Sequence, residues 1–425
     1  MLTTLRQMFT NTFNKNDVLG LARDVGALRR LRDIHPADFA LAITHCAMGD
    51  ETRSIATARR AFFTNTGFMP QESSFYDRFT AGSVALMKRL FERALASTTR
   101  ERRAALAAAL KGSGLVDIEA IDGSQITLPA SAAEVCPSTS PDHGGVKLTA
   151  ALSVLYQTIS AITLTDAKTH DRKALQLPRW LHRRLLLLDR GYADHRLWAT
   201  IEERKGSFLT PLKCTTMPRI VAIRSGVGKA HLGKVFSGDL RYWQTVDVDA
   251  EFQVRKRGRR TFRVLRVPVW SDSPNGGWEQ TDLWFVTNLS PELFSPEQIA
   301  TIYRCRWEVE QLFRTLKMVG RLDHLRSSNP DVIHTFIYAT LLGMVLAQDI
   351  CALMRQRRPN TEPSPYRVAA LLLMFLPSII ATLGTRRLSP VLNAFQAALW
   401  REGVNPNPGR PYRSTAYARE LLYAA

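Results

Sequence analysis

The most informative stretch of this 425-residue sequence is Tyr303-Arg-Cys-Arg-Trp-Glu-Val-Glu-Gln-Leu-Phe-Arg-Thr-Leu-Lys317. In a helix, with about 100° per residue, four of its polar side chains fall within about 60° of one another. The apolar side chains form a separate stripe, which is typical of a helix packed against a core. The sequence therefore predicts one helix, from Pro296 to about Val319, with a polar line about 21 Å long beside its buried edge. The four polar residues are Tyr303, Arg306, Glu310 and Lys317.

The polar line has the chemistry needed to hold a DNA strand at an active site. The Glu310 carboxylate can bind a metal ion, and the side chains of Arg306 and Lys317 can bind phosphates on either side of it. The Tyr303 side chain can bond a phosphate or stack on a base. The alternative, from the residues alone, is a surface helix in which Arg306 and Glu310 form an i,i+4 ion pair.

The spacing of the four residues resembles a known signature. The pattern is a Tyr and an Arg separated by two residues, then a Glu after three more residues and a Lys after a further six. It resembles the YREK signature of the insertion-sequence 4 family of bacterial DDE transposases. The flanking segments Tyr303–Glu308 and Leu312–Lys317 are also similar to that family. The resemblance covers roughly Val116 to Ser328. It implies an RNase H-like catalytic core, of the retroviral integrase superfamily, in which Glu310 is the third member of an acidic triad.

Two further carboxylates are expected on adjacent central strands of such a core. Asp122 comes at the end of an alternating segment that starts at Val116, and Asp189 follows the apolar run Leu185–Leu188. A charge at the end of a buried strand needs a partner or an ion. We therefore assign Asp122, Asp189 and Glu310 as the catalytic and metal-binding triad. The alternatives are Asp117 and Glu119 for the first position, and Asp166 and Asp194 for the second.

The segments around these aspartates predict an α/β core with a mixed sheet, in the order β-β-β-α-β-α-β. The segment 214–280 is rich in Val, Thr, Arg, Lys and Gly and predicts an all-β insertion. That insertion accounts for the long separation between Asp189 and Glu310, and members of the family that the chain resembles carry one there. The expected strands are Val116–Asp122, Val146–Tyr156, Thr158–Thr165, Leu185–Leu188 and Ser207–Leu212.

The N-terminal region contains a candidate helix–turn–helix. Residues 1–110 have apolar residues at helical spacing, and Gly67–Phe79 suggests a second helix that starts near Ser73 or Ser74. Such a helix would dock on DNA, and a plain helical hairpin is the alternative. The expected domains are 1–112, a helical N-terminal DNA-binding domain; 113–212, the first part of the RNase H-like core; 213–288, the all-β insertion; 289–328, the second part of the core with the Glu helix; and 329–425, a C-terminal helical region and tail.

The triad also predicts the cofactor. Three carboxylates are hard oxygen ligands suited to Mg²⁺, with Mn²⁺ as a substitute, and two such ions support an in-line phosphoryl transfer. The resemblance implies cut-and-paste transposition: nicking at a transposon end, DNA hairpin formation, and joining of the 3′ ends to target DNA. In hairpin-forming relatives a Trp of the insertion receives a flipped base, for which Trp284 is the candidate. Trp270 and Trp278 are alternatives, and a core position is the other interpretation of Trp284.

The charge of the chain indicates a polyanionic partner. It has 57 Lys and Arg against 38 Asp and Glu, a formal net charge of +19, which favours nucleic acid or an anionic membrane surface. We expect double-stranded DNA, as terminal inverted repeats and as target, and the resemblance implies a homodimer in the synaptic complex. Phosphate contacts near the site are expected from Arg190, Lys213 and Arg326, and along the DNA backbone from the basic run Arg255–Arg260.

No membrane association is expected. The most apolar stretches, Phe336–Ala347 and Ala369–Gly384, fall short of the roughly 18–20 residues of a spanning helix, and Met1–Lys15 lacks a signal pattern. The expected location is therefore the bacterial cytoplasm, at the nucleoid. The five cysteines form no CxxC pair, so neither a zinc site nor a disulfide framework is predicted, and Cys305 is expected to be a small core residue.

Two other functions remain open at this point. A metal-dependent nuclease of the same fold would use the same triad without strand transfer, which the sequence cannot distinguish. A domesticated DNA-binding protein would keep the basic surface without catalysis, although the intact triad argues against that. Strand transfer from a precut 3′ end separates the first alternative from a transposase.

Overall fold

One mixed β-sheet of nine strands runs through the computed structural model. The structure describes residues 1–49, 53–98, 104–175, 177, 181–213, 216, 218–235, 245–272, 278–359 and 361–405. In space the strands follow the order β3-β2-β1-β4-β5-β9-β8-β7-β6, so the predicted α/β class with a mixed sheet is confirmed. They are β1 (Asp117–Leu128), β2 (Gly144–Ser153), β3 (Thr158–Asp166), β4 (Arg184–Leu187), β5 (Ser207–Pro211), β6 (Arg219–Ser225), β7 (Val246–Val254), β8 (Gly258–Asp272) and β9 (Trp278–Thr287).

The strands β1 and β4 are neighbours in the sheet and run parallel. The two predicted aspartates lie just beyond the end of this parallel pairing. Their register pairs Ile118 with Leu185 and Ala120 with Leu187. The Leu side chains of β4 are fully buried, as an uninterrupted apolar run predicts for a strand covered on both faces. On its other side β1 pairs antiparallel with β2, which pairs in turn with β3, so the predicted hairpin is confirmed.

The strand β1 is longer than the alternating pattern predicts. The predicted strand ends at Asp122, whereas β1 continues to Leu128. The extension exists because β2 goes on pairing with β1 as far as Leu128 and Gly144, after the parallel pairing with β4 has ended at Ala120. Asp122 therefore lies inside a strand, just beyond the point where one of its two neighbouring strands stops.

The predicted all-β segment extends the same sheet. β9 pairs antiparallel with β5, with Leu209 opposite Thr287, and β8, β7 and β6 follow outward. Of the residues that the structure describes in this segment, most lie in these strands, and Lys229–His231 form a short 3-10 turn. A second core cluster lies against this half of the sheet, in which the rings of Trp198 and Phe208 stack at 5.4 Å and Phe262 meets both edge-on.

Helices from the two ends of the chain pack together around one long buried helix, α12. The Phe79 ring lies 6.1 Å from the Phe336 ring of α12, and the hydroxyl oxygens of Ser83 and Thr335 are 3.3 Å apart. The helices are α1 (Leu2–Phe13), α2 (Lys15–Asp24), α3 (Pro36–Met48), α4 (Ile55–Thr66), α5 (Glu72–Tyr76), α6 (Ala81–Ser97), α7 (Ala104–Ala109), α8 (Asp171–Ala174), α9 (His195–Glu203), α10 (Pro296–Arg304), α11 (Trp307–Met318), α12 (Pro330–Arg357), α13 (Pro365–Thr382) and α14 (Leu388–Glu402).

Two of the C-terminal helices reach the length of a membrane span. α12 has 28 residues and α13 has 18, and both are apolar enough to cross a membrane. The expectation that neither apolar stretch reaches that length is wrong, because each stretch lies inside a longer helix that includes flanking residues. In α12, 89% of the most apolar window is buried inside the protein, which is typical of a core helix, whereas the corresponding share in α13 is 33%.

The predicted helix–turn–helix takes a different form. The helix expected to start near Ser73 or Ser74 is α5, which has only five residues, and the long helix α6 begins after its capping residue Thr80. The chain turns between them because the rings of Phe75 and Phe79 are both buried in the helical core. A helix of five residues is about 7.5 Å long, too short for a recognition helix in a major groove.

The polar line of the opening stretch runs across two helices rather than one. α10 ends at Arg304 and α11 begins at Trp307. Between them the Arg306 amide donates to the Tyr303 carbonyl at 3.0 Å, an i→i+3 bond that tightens the turn. The prediction of one continuous helix is therefore wrong. The polar side chains nevertheless stay together, since the Arg306 guanidinium lies 5.9 Å from the centre of the Tyr303 ring.

The alternative carboxylates of β1 are engaged elsewhere. Asp117 and Glu119 are buried, and both bind Arg184, at 3.0 and 2.5 Å. They lie on the opposite face of the strand from Asp122, because successive side chains alternate. Burial, and then the negative charge of Asp117, raise the pKa of Glu119 to about 8. The single guanidinium of Arg184 is shared by the two carboxylates and offsets this rise only in part. Because Arg184 already pairs these two groups, Asp122 is the better candidate for the first catalytic residue.

Replacing Glu119 by Gln is expected to change how stability depends on pH. The folded pKa of Glu119 lies above its ordinary value of 4.5, so its contribution is fully present below that pH and is lost as pH rises through about 8. The free energy of unfolding of the wild type should fall over this range relative to E119Q, by about 1.4 kcal/mol per unit of raised pKa. Denaturant titrations near both ends of the range measure the difference, and a constant difference would contradict the prediction.

Candidate active site

The two predicted aspartates lie close together where the parallel strands end. The parallel register stops at Ala120, and Asp122 follows on β1 while Asp189 follows β4 at the matching level. The Gly123 amide donates to the Asp122 carboxylate at 2.8 Å. The Gly191 amide lies 3.5 Å from the Asp189 carboxylate and holds it less tightly. The two side chains are near enough for the charge of Asp189 to act on Asp122.

Glu310 approaches the aspartates from α11, which packs against β1. Arg306 Nη2 donates to Glu310 Oε1 at 2.5 Å, and Arg306 Nη1 lies 3.6 Å from Asp122 Oδ2. The i,i+4 ion pair is therefore present, but it is not a surface pair, because only 19% of the Arg306 side chain is exposed. One guanidinium thus connects the first and third members of the predicted triad.

Tyr303 and Lys317 lie at the two ends of the polar line. The Tyr303 hydroxyl donates to the carbonyl of Leu188, the residue before the second aspartate, at 3.4 Å. The Lys317 ammonium donates to the Gln125 carbonyl at 3.1 Å and lies 3.8 Å from the Asp323 carboxylate. Burial raises the pKa of Tyr303, so this phenol stays a neutral donor at physiological pH. The structure therefore brings all four residues of the polar line to one edge of the sheet.

Negative charge exceeds positive charge around Asp122, which lies near two other carboxylates and one guanidinium. The pKa of Asp122 is raised to about 6, first by burial and then by the negative charges of Asp189 and Glu310. The cation Arg306 only partly opposes this rise. Among the described residues, no three His, Cys, Asp or Glu side chains stand close enough to hold a metal ion as they are placed. The donor set suits a hard divalent cation, but Arg306 now lies between Glu310 and Asp122.

The central part of the chain matches a known protein family. Residues 117–346, more than half of the chain and including all three carboxylates, match the family described as transposase DDE domain. The chain belongs to this family. A transposase DDE domain implies an RNase H-like core, an enzyme that cleaves and joins DNA, and dependence on a divalent metal ion.

Transposases of bacterial insertion sequences are similar to most of the chain. The putative transposase InsL for insertion sequence element IS186A of Escherichia coli strain K12 is 24% identical over 361 residues, which cover 77% of this chain and 89% of that protein. The transposase for insertion sequence element IS421 of Escherichia coli is 25% identical over 359 residues, with the same coverage. The transposase for insertion sequence element IS231F of Bacillus thuringiensis subsp. israelensis is 29% identical over 91 residues, 21% of this chain and 19% of that protein.

The alternatives for the second aspartate of the DDE domain have other roles or positions. Asp194 caps α9 by accepting from the Arg196 amide at 2.8 Å, and it pairs with Arg172 at 2.9 Å. Asp166 is exposed at the end of β3, an outer strand of the sheet. Asp189 is the carboxylate whose charge reaches Asp122, which favours it as the second member of the triad.

The residues that the sequence predicts to contact DNA differ in their exposure and in their neighbours. Arg190 is exposed next to the second aspartate, and its charge acts on Tyr303. Lys213 is half-buried after β5, and Arg326 is exposed beyond the Glu helix. Trp284 is half-buried on β9 beside the second core cluster, with the Arg266 guanidinium 5.9 Å from its ring centre. The side chains of the alternatives Trp270 and Trp278 lie outside the described structure, as does residue Cys214.

Three polar residues near the predicted triad have no part in the sequence prediction: Lys147, Asp171 and Tyr192. Burial, and then the charges of Asp171, Asp122 and Asp189, raise the pKa of Tyr192. Tyr192 follows Asp189 closely in sequence, which is a usable signal. No local signal marks Asp171, because it comes from a separate connection between β3 and β4.

Proposed function

We propose that this chain is a DNA transposase of the insertion-sequence 4 family, which moves an insertion sequence by a cut-and-paste reaction. The observation that carries the proposal is that Asp189 and Glu310 lie near enough for their charges to act on Asp122, with Arg306 between Asp122 and Glu310. The names of the relatives that cover most of the chain support a role in insertion-sequence transposition. The spacing of Tyr303, Arg306, Glu310 and Lys317 supports the finer family assignment.

The three carboxylates would hold two Mg²⁺ ions, for which Mn²⁺ can substitute. When bound, such ions activate the attacking oxygen and stabilise the leaving oxygen of an in-line phosphoryl transfer. The chain's own contribution is to orient the ligands. The Gly123 amide fixes the Asp122 carboxylate, and the Thr210 hydroxyl donates to the Asp189 carbonyl at 3.4 Å. A ligand held in this way loses less freedom when it binds an ion.

The cationic side chains around the triad would hold the DNA strand. Arg306 offers a planar fork that matches a phosphate, and Lys317 offers a point charge at the other end of α11. Tyr303 can donate to a phosphate oxygen. Arg190, Lys213 and Arg326 would hold phosphates farther along the same strand, and the run Arg255–Arg260 would bind the backbone without reading sequence.

Hairpin formation is part of the proposed cut-and-paste reaction. Closing a hairpin requires a tightly bent strand and a displaced base, which costs a few kcal/mol that stacking on an aromatic ring offsets. Trp284 is the proposed acceptor of that base. Its half-buried ring already lies near one guanidinium, that of Arg266, an arrangement that also suits the face of a base.

The helical N-terminal domain, residues 1–112, would bind the DNA ends. A groove of about 1010 Å³ lies between the loop after α2, the turn before α5 and the start of α6. Its arginines form no ion pair with any described residue, and the apolar side chains Phe68 and Met69 at its wall are each 43% exposed. Free cations beside exposed apolar side chains suit a DNA backbone and the sugars or bases next to it. The arginines are Arg29, Arg30, Arg32 and Arg78.

Replacing Arg29 and Arg32 by Gln is expected to weaken DNA binding uniformly across sequences. Each lost phosphate contact should reduce the slope of log binding constant against log salt by about 0.9. Filter binding or fluorescence anisotropy at several salt concentrations measures that slope. The matched control removes Arg386 and Arg387, which are exposed before α14 on another part of the surface. Equal slopes for the two double variants would contradict a role for the groove.

The proposed partners are terminal inverted repeats, target DNA and a second copy of the chain in a synaptic complex. The remaining proposed domains are the RNase H-like core, 113–212 and 289–328, the all-β insertion, 213–288, and the C-terminal region, 329–425. The contacts of Phe79 and of α6 with α12 support a helical unit that joins both chain ends.

A strand-transfer assay tests the proposed function. The substrate is a DNA end of the element that encodes the chain, with a precut 3′ hydroxyl, and the readout is its joining to a supercoiled plasmid in the presence of Mg²⁺. A transposase joins the two molecules. Metal-dependent cutting without joining would identify a nuclease of the same fold, and DNA binding with neither reaction would identify a domesticated DNA-binding protein.

A further inference from the structure

A small polar pocket surrounds Gly123 and Gly191, the glycines that follow Asp122 and Asp189 in the sequence. At Gly123, the neighbour of Asp122, an added Cβ atom would lie 3.3 Å from Asp171 Oδ1 and 3.6 Å from the Tyr192 hydroxyl oxygen. It would also lie 3.8 Å from the hydroxyl oxygen of Thr149, which faces Gly123 across the β1–β2 pair. The missing side chain of Gly123 therefore leaves the space in which these three oxygens meet.

A second glycine borders the same carboxylate. At Gly191, an added Cβ atom would lie 3.3 Å from Asp171 Oδ2 and 3.9 Å from Asp189 Oδ2. The two oxygens of Asp171 thus each face a glycine that accompanies one of the catalytic aspartates. A contact of 3.3 Å to a Cβ atom is tighter than ordinary packing, so side chains at these two positions would push Asp171 away.

Asp171 is held in place by a cation from the neighbouring strand. Lys147 Nζ donates to Asp171 Oδ1 at 2.9 Å and to the Thr169 carbonyl at 2.6 Å. The Lys147 side chain is 15% exposed and that of Asp171 is 38% exposed, so the pair is open to solvent on one side only. The ion pair therefore holds the Asp171 carboxylate beside the two glycines.

Two buried hydroxyls of the pocket still have hydrogen-bonding capacity. Tyr192 is 1% exposed and Thr149 is 5% exposed. Within the part of the chain that the structure describes, neither hydroxyl oxygen has a hydrogen-bond partner. Leaving a buried hydroxyl unpaired costs about 1–3 kcal/mol. The two unpaired hydroxyls beside Asp171 indicate that the pocket makes further polar contacts in the functional state of the protein.

We propose that Asp171, with the hydroxyls of Tyr192 and Thr149, forms a group of positioning residues that orients the carboxylates of Asp122 and Asp189 for cation binding. The proposal rests on the proposed function, because it assigns these residues to the same site. A hydroxyl that donates to a ligand carboxylate restricts its rotation, and a further carboxylate beside the ligands adds negative charge that favours a cation. Loss of such supporting groups typically costs about 10–100-fold in metal affinity. None of the three needs to touch DNA or the reacting atoms.

The first test measures Mn²⁺ binding to the DNA-free protein, by calorimetry or by the electron paramagnetic resonance of free Mn²⁺. Asp171→Asn keeps the shape of the side chain and is expected to weaken binding about 10–100-fold. Asp194→Asn is the matched control, since Asp194 pairs with Arg172, the residue next to Asp171. The control removes the same charge nearby and should change binding less than about threefold, as expected for a screened surface charge. If both variants weakened Mn²⁺ binding equally, the loss of one negative charge near the site would explain the effect, and the proposal would be overturned.

Tyr192→Phe provides a second variant without a change of charge. It should weaken Mn²⁺ binding in the same direction as D171N, and the double variant should weaken it by less than the product of the two single effects, because both act on the same carboxylates. Unfolding curves recorded without metal identify a variant that has simply lost its fold. Wild-type Mn²⁺ affinity in folded Y192F and folded D171N would overturn the proposal.

The two proposals fail in different ways. Absence of metal-dependent cleavage or joining by the wild type refutes the proposed transposase function. If the wild type is active but D171N needs no more Mg²⁺ than the wild type for half-maximal cleavage, only the positioning role is refuted. A positioning role raises the metal concentration required and leaves the rate at saturating metal less affected than Glu310→Gln does.

Discussion

The variant Glu310→Gln is expected to lose Mg²⁺-dependent DNA cleavage by at least about a thousandfold, which corresponds to about 4 kcal/mol of transition-state stabilisation. The amide has nearly the same shape but no negative charge, so it cannot replace a carboxylate ligand of a hard cation. Removing the charge also leaves Arg306 without its 2.5 Å partner. Binding to DNA ends should remain largely intact, because no phosphate is bound by a carboxylate.

The measurement is a cleavage time course on an end-containing DNA fragment, with end binding measured separately in Ca²⁺ or EDTA. Glu308→Gln is the matched control, since Glu308 lies on the same helix as Glu310 and projects in another direction. It removes the same charge from α11 and should keep most of the activity. Retained cleavage by E310Q, with E308Q as active as the wild type, would refute the assignment of Glu310.

A comparison of variants on β1 tests the assignment of Asp122 over its alternative Glu119. Asp122→Asn should reduce cleavage as severely as E310Q, whereas the variant Glu119→Gln should keep activity and change mainly the pH dependence of stability. The difference follows from the two faces of β1. On one face Asp122 lies near Asp189 and Arg306, and on the other Glu119 is paired with Arg184.

What the sequence predicts well depends on local periodicity. The run Leu185–Leu188 predicts a strand buried on both faces, and an acid directly after it predicts a charge at the sheet's edge. The stripe of apolar residues on α10 and α11 predicts which side faces the core. In each case the information lies within about ten residues, which is the range over which helical and strand periods can be read.

The features that the sequence does not predict depend on distant partners. The break between α10 and α11 accompanies the bond from Tyr303 to Leu188, which is separated by 115 residues. The extension of β1 depends on pairing with Gly144. The position of Asp171 depends on two glycines in other segments. None of these leaves a periodic trace, because each is decided by tertiary packing that overrides local preference.

The place of Arg306 was also only half predictable. Helical spacing predicts the ion pair with Glu310, but not that the same guanidinium reaches Asp122 on a strand far away in sequence. The resulting arrangement has a consequence for metal binding. A cation that lies between two carboxylates competes with any ion that needs the same oxygens, because both draw on the same negative charge.

Replacing Arg306 by Gln is therefore expected to have two opposite effects. Mn²⁺ binding to the DNA-free protein should become tighter, by about three- to tenfold, since Glu310 and Asp122 no longer have to release a guanidinium; one such ion-pair hydrogen bond is worth about 1 kcal/mol or more. DNA cleavage at saturating metal should fall by about a hundredfold, because the phosphate loses a charge-assisted donor worth about 1.5–3 kcal/mol.

Calorimetry with Mn²⁺ and a cleavage assay over a range of metal concentrations measure the two effects on the same preparation. Arg314→Gln is the matched control, because Arg314 lies on the same helix but stacks on the exposed Trp307 ring, 6.0 Å away. It should change neither quantity by more than about twofold, as expected for an exposed charge. Weaker Mn²⁺ binding in R306Q would show that the guanidinium supports the metal ligands instead of competing for them. In that case Arg306 would orient Glu310 and Asp122 for the metal ions and would not compete with those ions for the two carboxylates.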